Sequence, residues 1–435
     1  MVLNRLMLST GQSGMRDMTL SAAIAGAGIA GLAAATLLAR RGWRVEIFDK
    51  SPAPAPVGSG LILQPVGLAV LNRLGCLQAI SDRGARIDRL FGRVVPSNRI
   101  VLDVRYGSPG SGKHGIAVHR DTLFRALLTA ARHEGLAITH SSNVASVVQG
   151  RGGEWLQMID GARHGPFDLV IDGLGARSAL SPGSGRELSY GALWASLDWP
   201  ASGFMDNTLE QRYEYASCMA GVLPIGQPAG SDVRQAAFFW SIKQEHFDSW
   251  RRVPLDQWKE AVLRVWPQAI AFVDQIASHD DLVMARYRHR TRRDPVSGRT
   301  VHLGDSFHAT SPQLGQGANM ALLDALALDT ALDMQPDLDT ALGEYARMRA
   351  THVWLYQFIS LVFTPFYQSD SRLVAALRDH LLSPASRLAP VQWLLGGMVA
   401  GELGYPLRAM RAAPFRGTPL AQGRDGSDAI IFPSP

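Results

Sequence analysis

One turn constrains this chain more than any other feature. It is the run Gly26–Leu32 (GAGIAGL), which follows the apolar stretch Ser21–Ala25. Gly26, Gly28 and Gly31 have the spacing G-x-G-x-x-G; Ile29–Arg41 has helical composition and Gly42 stops it. Trp43–Phe48 then reads as a second strand ending at Asp49. Strand, tight turn, helix and strand in this order make the first βαβ unit of an open sheet. The first glycine permits the turn, the second lets backbone approach a pyrophosphate, and the third lets the helix pack closely on the strand. Phosphates then sit at the helix N-terminus, where unpaired N–H groups and the dipole favour negative charge. Asp49, 18 residues after Gly31, is placed to accept hydrogen bonds from adenosine ribose hydroxyls. Alone, this unit says only that a dinucleotide binds.

A second run says which one. Arg299–Leu303 (RTVHL) is expected as a strand with Gly304 and Asp305 at its carboxyl end. A loop with Pro312, Gly315 and Gly317 then opens an Ala- and Leu-rich helix over Gly317–Met334. Asp305 is well placed to hydrogen-bond the ribityl hydroxyls of a flavin. The helix would aim its positive end at the pyrimidine side of the isoalloxazine, where the reduced ring carries negative charge. FAD fits both motifs, its adenosine end on the first and its ring end on the second. A flavin does the hard chemistry itself, so no catalytic side chain is assigned. His308 could approach the flavin or bond its own loop.

Composition narrows the classes. With 435 residues, 46% hydrophobic and 19% charged, the chain can bury a large core and is expected to form two domains. A net charge of +5 could draw acidic substrates or a phosphorylated cofactor but is too diffuse to argue for nucleic acid. Cys76 and Cys218 make no disulfide framework and no metal spacing, so no metal is expected and a reduced, cytoplasmic compartment is the default. Residues 1–18 lack the apolar run of a signal peptide and read as a loose extension, with Met15 or Met18 as alternative starts. The tail after Arg416 reads as a flexible end. No stretch reaches the roughly 18 apolar residues of a membrane span. Val353–Tyr367, interrupted by Gln357 and Pro365, is expected as a buried helix.

Over residues 20–350 the chain resembles the single-component FAD-dependent monooxygenases of the para-hydroxybenzoate hydroxylase type. GAGIAGL with Asp49 and Lys50 is similar to that family's dinucleotide fingerprint, which more often has Glu at the place of Asp49. The Gly58–Gly60 turn and the segment after it also resemble the family. HRDTLFRALL resembles its Arg-x-x-Leu helix and implies Arg120 near the flavin ribityl or pyrophosphate. GDSFHATSPQLGQGANMALLDA matches its second FAD motif through Asp324, and EYARMR its Tyr-x-x-x-Arg helix. The cofactor-binding set this implies is Gly26, Gly28, Ala30, Gly31, Asp49, Lys50, Arg120, Asp172, Gly304, Asp305, Gly315, Gln316, Gly317, Ala318 and Asn319. The middle motif departs from the family pattern: Leu174 stands where an aspartate is usual, with Asp172, Gly175 and Ser178 in the spacing of related halogenases and reductases. That puts the engagement of NAD(P)H in doubt.

The implied fold is α/β, a Rossmann-like FAD-binding domain of the GR2, para-hydroxybenzoate hydroxylase-like kind. A mixed β-sheet substrate domain and a helical C-terminal region accompany it. The FAD domain is expected in three parts (19–86, 115–185 and 291–345), a hairpin at 87–114 joining the substrate sheet, the substrate domain at 186–290, C-terminal helices at 346–420 and a tail at 421–435. The implied activity is oxygenation of an aromatic or polycyclic small molecule: NAD(P)H reduces the flavin, O2 adds at its C4a carbon, and the distal oxygen of the hydroperoxide passes to the substrate. A flavin reductase or dehydrogenase without oxygen insertion, a flavin-binding protein without turnover, and a halogenase are the alternatives. The halogenase reading draws on the Asp172, Gly175 and Ser178 spacing; against it, Phe238–Lys243 (FFWSIK) breaks the Trp-x-Trp-x-Ile-Pro signature at both ends and residues 51–72 contain no lysine.

The substrate domain is strand-rich, with GALWASLDW, QRYEYASCMAGVLPIG and RQAAFFWSIK as strands and Leu255–Val265 as a helix. Trp194, Tyr213, Tyr215, Phe239, Trp240 and Pro312 are candidate pocket residues, though strand alternation equally allows ordinary core. Arg286, Arg288, Arg290 and Arg292 alternate along a strand with Tyr287, His289 and Thr291 opposite. They make either a solvated face or an anion site for nicotinamide phosphates or an acidic substrate. The aromatic C-terminal helices read first as core and dimer packing, so a monomer or homodimer, and second as loose membrane attachment.

Overall fold

The computed structural model describes residues 19–53, 59–107, 111–183 and 185–417. The readings made of residues 1–18, of Gly58 and of the tail beyond Gly417 lie outside them.

The first glycine turn stands at the middle of a six-stranded sheet. Strand β1 (Ser21–Ala25) is flanked in parallel by β2 (Arg44–Phe48) and by Leu169–Asp172, which in turn pairs with Thr300–His302. The carboxyl ends of three strands therefore deliver the Gly26 turn, the Asp172 loop and the Gly304 loop to one edge, where open α/β sheets bind ligands. β1 is SAAIA and wholly buried; side chains this small let helices come close on both faces. Helix α1 (Ile29–Arg40) covers one face together with the helix Gly317–Met334, hereafter the motif helix. Thirteen of the 18 residues of the motif helix are buried, so it is apolar on nearly every side, as an interior helix must be.

The second layer is a seven-stranded sheet in the order Val283–Arg290, Gly185–Asp198, Gln235–Lys243, Cys218–Gly226, Thr208–Glu214, Arg89–Val94, Arg99–Arg105. Its outer face is covered by Leu255–Val265 and Ile270–Val273, with Phe238, Trp258, Trp266 and Phe272 at the centre of the packing. Its inner face turns toward the nucleotide-binding layer, where Leu223, Ile225 and Ala237 meet Phe307, Leu314 and Met320. The short strand Gly60–Leu63 lies so close to this face that a Cβ on Gly60 would fall 2.3 Å from Ile225 Cγ2.

Three details differ from the sequence reading. QRYEYASCMAGVLPIG is not one strand but most of a hairpin, Thr208–Glu214 and Cys218–Gly226, turning at Tyr215 with φ 55°. The arginine strand ends at Arg290, with Thr291 and Arg292 beyond it. Val353–Tyr367 belongs to a 30-residue helix, Leu338–Tyr367, but is not buried throughout. Val353, Tyr356 and Ser360 face inward, whereas Trp354, Phe358, Leu361 and Val362 are exposed. Apolar residues occupy both sides of the helix, and composition does not reveal that only one side is covered.

Candidate functional site

At the first turn, Gly26 has φ 101°, and a Cβ there would lie 2.6 Å from the carbonyl oxygen of Gly173. The third glycine is held tighter: a Cβ on Gly31 would fall 2.0 Å from Gly26 O. Gly28 caps α1 without any side-chain hydrogen bond, so the first N–H groups of that helix are unclaimed among the described residues. Asp49 is already engaged. Its Oδ2 accepts from Ala27 N–H and its Oδ1 from Ser51 N–H, both at 2.8 Å. Each oxygen keeps a further lone pair, so Asp49 shapes the glycine turn while leaving acceptors for a ribose. Lys50 beside it is exposed.

The middle loop changes the role read for Asp172. Its carboxylate is fully buried, accepting from Ser178 Oγ at 2.7 Å and Leu174 N–H at 3.1 Å, with His302 Nδ1 at 2.7 Å. With both oxygens buried and engaged, the Asp172 carboxylate braces the loop from beneath. Leu174 is half-buried, packed against the cluster around Phe48 and Phe167.

At Gly304 the two motifs meet. Gly304 has φ 61°, and a Cβ there would press on Ala30 of α1 at 3.3 Å and Ala321 of the motif helix at 3.2 Å. Its N–H donates to Asp324 Oδ2, which also meets His308 Nε2, each at 2.7 Å. Asp324 Oδ1 accepts from Arg349 Nε at 2.6 Å. Burial acts to raise the Asp324 carboxyl, but the charges of His308 and Arg349 and the hydrogen bonds from His308 and Gly304 outweigh it and hold it below its ordinary range. His352 continues the chain, its Nδ1 facing Arg349 and its Nε2 facing Gly401 O. Burial and the Arg349 charge push His352 well below its ordinary value, so it is neutral, accepting at Nδ1 and donating at Nε2. His308 Nε2 thus bonds the motif helix rather than its own loop, and its buried Nδ1 has no hydrogen-bond partner among the described residues.

Around the ring end, side chains divide into those that brace the loop and those left open. Asn319 is buried and fully used, accepting from Gln64 N–H and donating to Ile62 O and Gly315 O. Gln316 points away from the site, donating to Val399 O at 2.7 Å. Only their backbones remain for a ligand. Asp305, by contrast, is exposed and accepts no hydrogen bond from the described residues. Across from it stands Gly317, where a Cβ would find nothing nearer than Asp305 Oδ1 at 3.9 Å. The motif helix begins without a side-chain cap, leaving the N–H groups of Gly317 and Ala318 without a partner among the described residues, beside Gly315, which is left-handed. Pro312 is exposed, and so is Arg120, whose guanidinium has no partner among the described residues. Two uncapped helix starts, an open carboxylate between them and an open cation fit a dinucleotide carrying a flavin.

The inner face of the large sheet supplies the opposite wall, and register sorts the aromatic candidates. Trp194 and Phe239 are cross-strand partners whose rings lie 4.7 Å apart. Trp194 Nε1 donates to Tyr287 Oη at 3.0 Å. Tyr287 was missed as a site residue: alternation set it apart from the arginines but did not say which face it takes. Burial pushes its hydroxyl up to about 12, against the hydrogen bond from Trp194 and the charge of Arg120, so it stays protonated with a hydrogen to give. Tyr213 is buried on the same face, donating to Gln211 Oε1 at 2.8 Å beneath the Arg378 guanidinium. Trp240 lies on the opposite face with Phe238, because odd and even positions of a strand part company. Tyr215 is at the hairpin turn, half-exposed, with Arg372 over its ring. The arginine run is largely engaged. Arg286 donates to Gln244, Arg288 to Glu187 and Arg292 to Ser181, while Arg290 is buried with Nε and Nη1 unpartnered.

The family described as FAD binding domain matches residues 19–356. A putative 2-heptyl-3-hydroxy-4(1H)-quinolone synthase of Rhodococcus erythropolis is 28% identical over 356 residues, covering 78% of this chain and 86% of that one. A 3-amino-4-hydroxybenzoate 2-monooxygenase of Streptomyces cremeus is 28% identical over 366 residues, 77% of this chain and 84% of its own. Among solved structures, Klebsiella pneumoniae HpxO complexed with FAD and uric acid superposes with a TM-score of 0.74 at 18% identity, over 89% of this chain and 98% of that one. At that identity the likeness is one of fold.

Proposed function

The chain belongs to the FAD binding domain family and is an FAD-dependent aromatic monooxygenase using NAD(P)H and O2, and we propose that it oxygenates an aromatic or fused-ring molecule held between the motif loop and the inner face of the seven-stranded sheet. The observation that carries this is the Trp194–Phe239–Tyr287 group, an aromatic wall with one polar tip, opposite the open Gly315–Ala318 backbone. Pockets with this make-up take flat, mostly apolar ligands and orient them by few polar contacts.

Bound FAD would supply the redox chemistry, taking hydride from NAD(P)H and activating oxygen toward an electron-rich ring carbon. The residues supply its holding and surroundings. The N–H groups after Gly28 would hold the pyrophosphate, with Arg120 as a cation for it, and Asp305 would accept from the ribityl hydroxyls. The N–H groups of Gly317 and Ala318 would favour negative charge on the reduced ring. Tyr287, its oxygen pinned by Trp194, donates its hydrogen to a ring oxygen of the substrate. Leu209, Leu223 and Phe239 keep that space dry, as oxygen transfer requires. The halogenase reading is not favoured: its tryptophan signature is broken at Phe238 and Lys243, and Trp240 packs on the outer face of the sheet.

The test is turnover under labelled dioxygen with a panel of phenols, aromatic acids and quinolones. Substrate-stimulated NAD(P)H oxidation with isotope in the product is expected. Reduced product without isotope would instead mean a reductase or dehydrogenase. Tyr287→Phe should raise KM or lower kcat with the flavin spectrum unchanged; wild-type kinetics would remove Tyr287 from the site.

A further inference from the structure

We propose that the C-terminal helical layer is a membrane-surface dock, an apolar face with a basic rim that seats the folded protein on an anionic bilayer. Most of the large exposed hydrophobic side chains among the described residues lie here. On the long helix, Trp354 (65% exposed) stacks on Phe358, and Leu361 and Val362 follow one turn on. The next helix, Arg372–Leu377, exposes Leu373 (71%) and Leu377, and Leu381 and Leu382 continue the run. The helix Ala389–Ala400 exposes Trp393 (73%) and Leu394. Scattered exposed hydrophobics are ordinary on a soluble surface; a concentration on consecutive elements marks an interaction face.

Charge decides what covers it. Between residues 354 and 416 there are three acids, and each is paired: Asp370 with Lys243, Asp379 with Arg378 and Glu402 with Lys113. Over the same span five arginines are exposed, Arg372, Arg387, Arg408, Arg411 and Arg416, and none has an acidic partner among the described residues. A second copy docking by two-fold symmetry would bring this uncompensated charge against itself. An anionic bilayer satisfies both halves, since apolar side chains enter the acyl boundary, tryptophans settle at the headgroup level, and arginines meet lipid phosphates. A cavity of about 750 Å³ opens at the same place. Trp393 and Tyr405 line it together with Arg105, Arg408 and Arg416, while the acids of its lining, Asp103 and Glu402, are already paired with Arg89 and Lys113, so the unpaired charge offered to a headgroup is cationic. Among the described residues no helix is long and apolar enough to cross a membrane, so the contact is with a surface.

The proposal is independent of which substrate is oxidised, and it is tested by flotation of the FAD-loaded full chain with vesicles. Vesicles of phosphatidylcholine alone are compared with vesicles also containing phosphatidylglycerol. Several-fold more protein should float with the anionic vesicles, and salt should release it. Arg372→Gln with Arg387→Gln should lower partitioning by roughly tenfold or more, each arginine near an anionic surface contributing about fivefold. Trp393→Ser with Leu394→Ser should abolish flotation while NAD(P)H oxidation in solution stays unchanged. Equal partitioning on the two vesicle types overturns the basic rim. Absence of flotation overturns the proposal, and a sedimenting dimer that the serine substitutions split assigns the face to a second copy.

Discussion

Four aspartates of the nucleotide layer share one functional group and do four different things. Asp49 holds two backbone N–H groups, Asp172 a serine and a histidine, and Asp324 a glycine N–H, a histidine and an arginine. Asp305 alone receives nothing from the described residues and stands in the open. A carboxylate held at a loop end without a donor is poised for one that arrives with a ligand. Asp305→Ala should therefore weaken FAD by about 1.5–3 kcal/mol, the range for hydrogen bonds to a charged group, which is roughly ten- to a hundredfold. Fluorescence titration of the apoprotein measures this, with unchanged circular dichroism as the control; unaltered affinity would remove Asp305 from the ribityl chain. Neighbouring aromatics give a second residue-scale contrast. Phe239→Ala should raise the substrate KM, because the ring lines the inner face. Trp240→Ala should lower the unfolding midpoint and leave KM alone, because that ring packs on the outer helices. Steady-state kinetics and thermal melts of the two variants separate these roles.

At the scale of elements, the pair Asp324–Arg349 fastens the motif helix to the long helix behind it, both side chains fully buried. Removing one partner strands the other's charge in a dry interior. Arg349→Met should destabilise the protein by about 3–5 kcal/mol, read by denaturant unfolding. His352, packed beside the pair, gives a pH signature. Its value is depressed in the fold, so the unfolded chain takes up protons first as pH falls. Its share of stability is complete above its ordinary value of 6.5 and declines below it. The decline is at most about 1.4 kcal/mol per pH unit for one proton. His114, His119 and His289, also lowered chiefly by burial, add to the slope. His352→Gln should flatten it between neutral pH and pH 5, and an unchanged slope would mean the histidine is charged in the fold. The motif helix could be read end for end, because Gly317 opens it and its Ala and Leu run admits only an interior helix. The βαβ unit was legible for the same reason, local composition agreeing with local geometry. The hairpin at Tyr215 was not, since a non-glycine residue at positive φ gives no warning in sequence. Nor was the inner or outer side of each strand: alternation yields two sets of residues but not which set meets the flavin layer.

Taken whole, the molecule sets the carboxyl ends of the six-stranded sheet toward the inner face of the seven-stranded one, with a cleft between them. Sequence showed the first wall through its glycines. The second wall depends on pairing between distant strands, so Trp194 and Phe239 could be named but not set beside Tyr287. The same long-range logic explains Gln316 and His308, which look like cofactor ligands in a linear motif and turn out to brace it. Their bracing has a consequence for motion. From Gly304 through Asp324, Arg349 and His352 to Gly401 runs an unbroken line of buried polar contacts, and Gln316 ties a second strand of it to Val399. The C-terminal layer cannot peel away without tearing the loop that would grip the flavin. The amide protons of residues 304–320 and 396–403 should then exchange with deuterium as one cooperative unit, slowed together when FAD is added. Independent exchange of the two segments would show that the line is broken in solution.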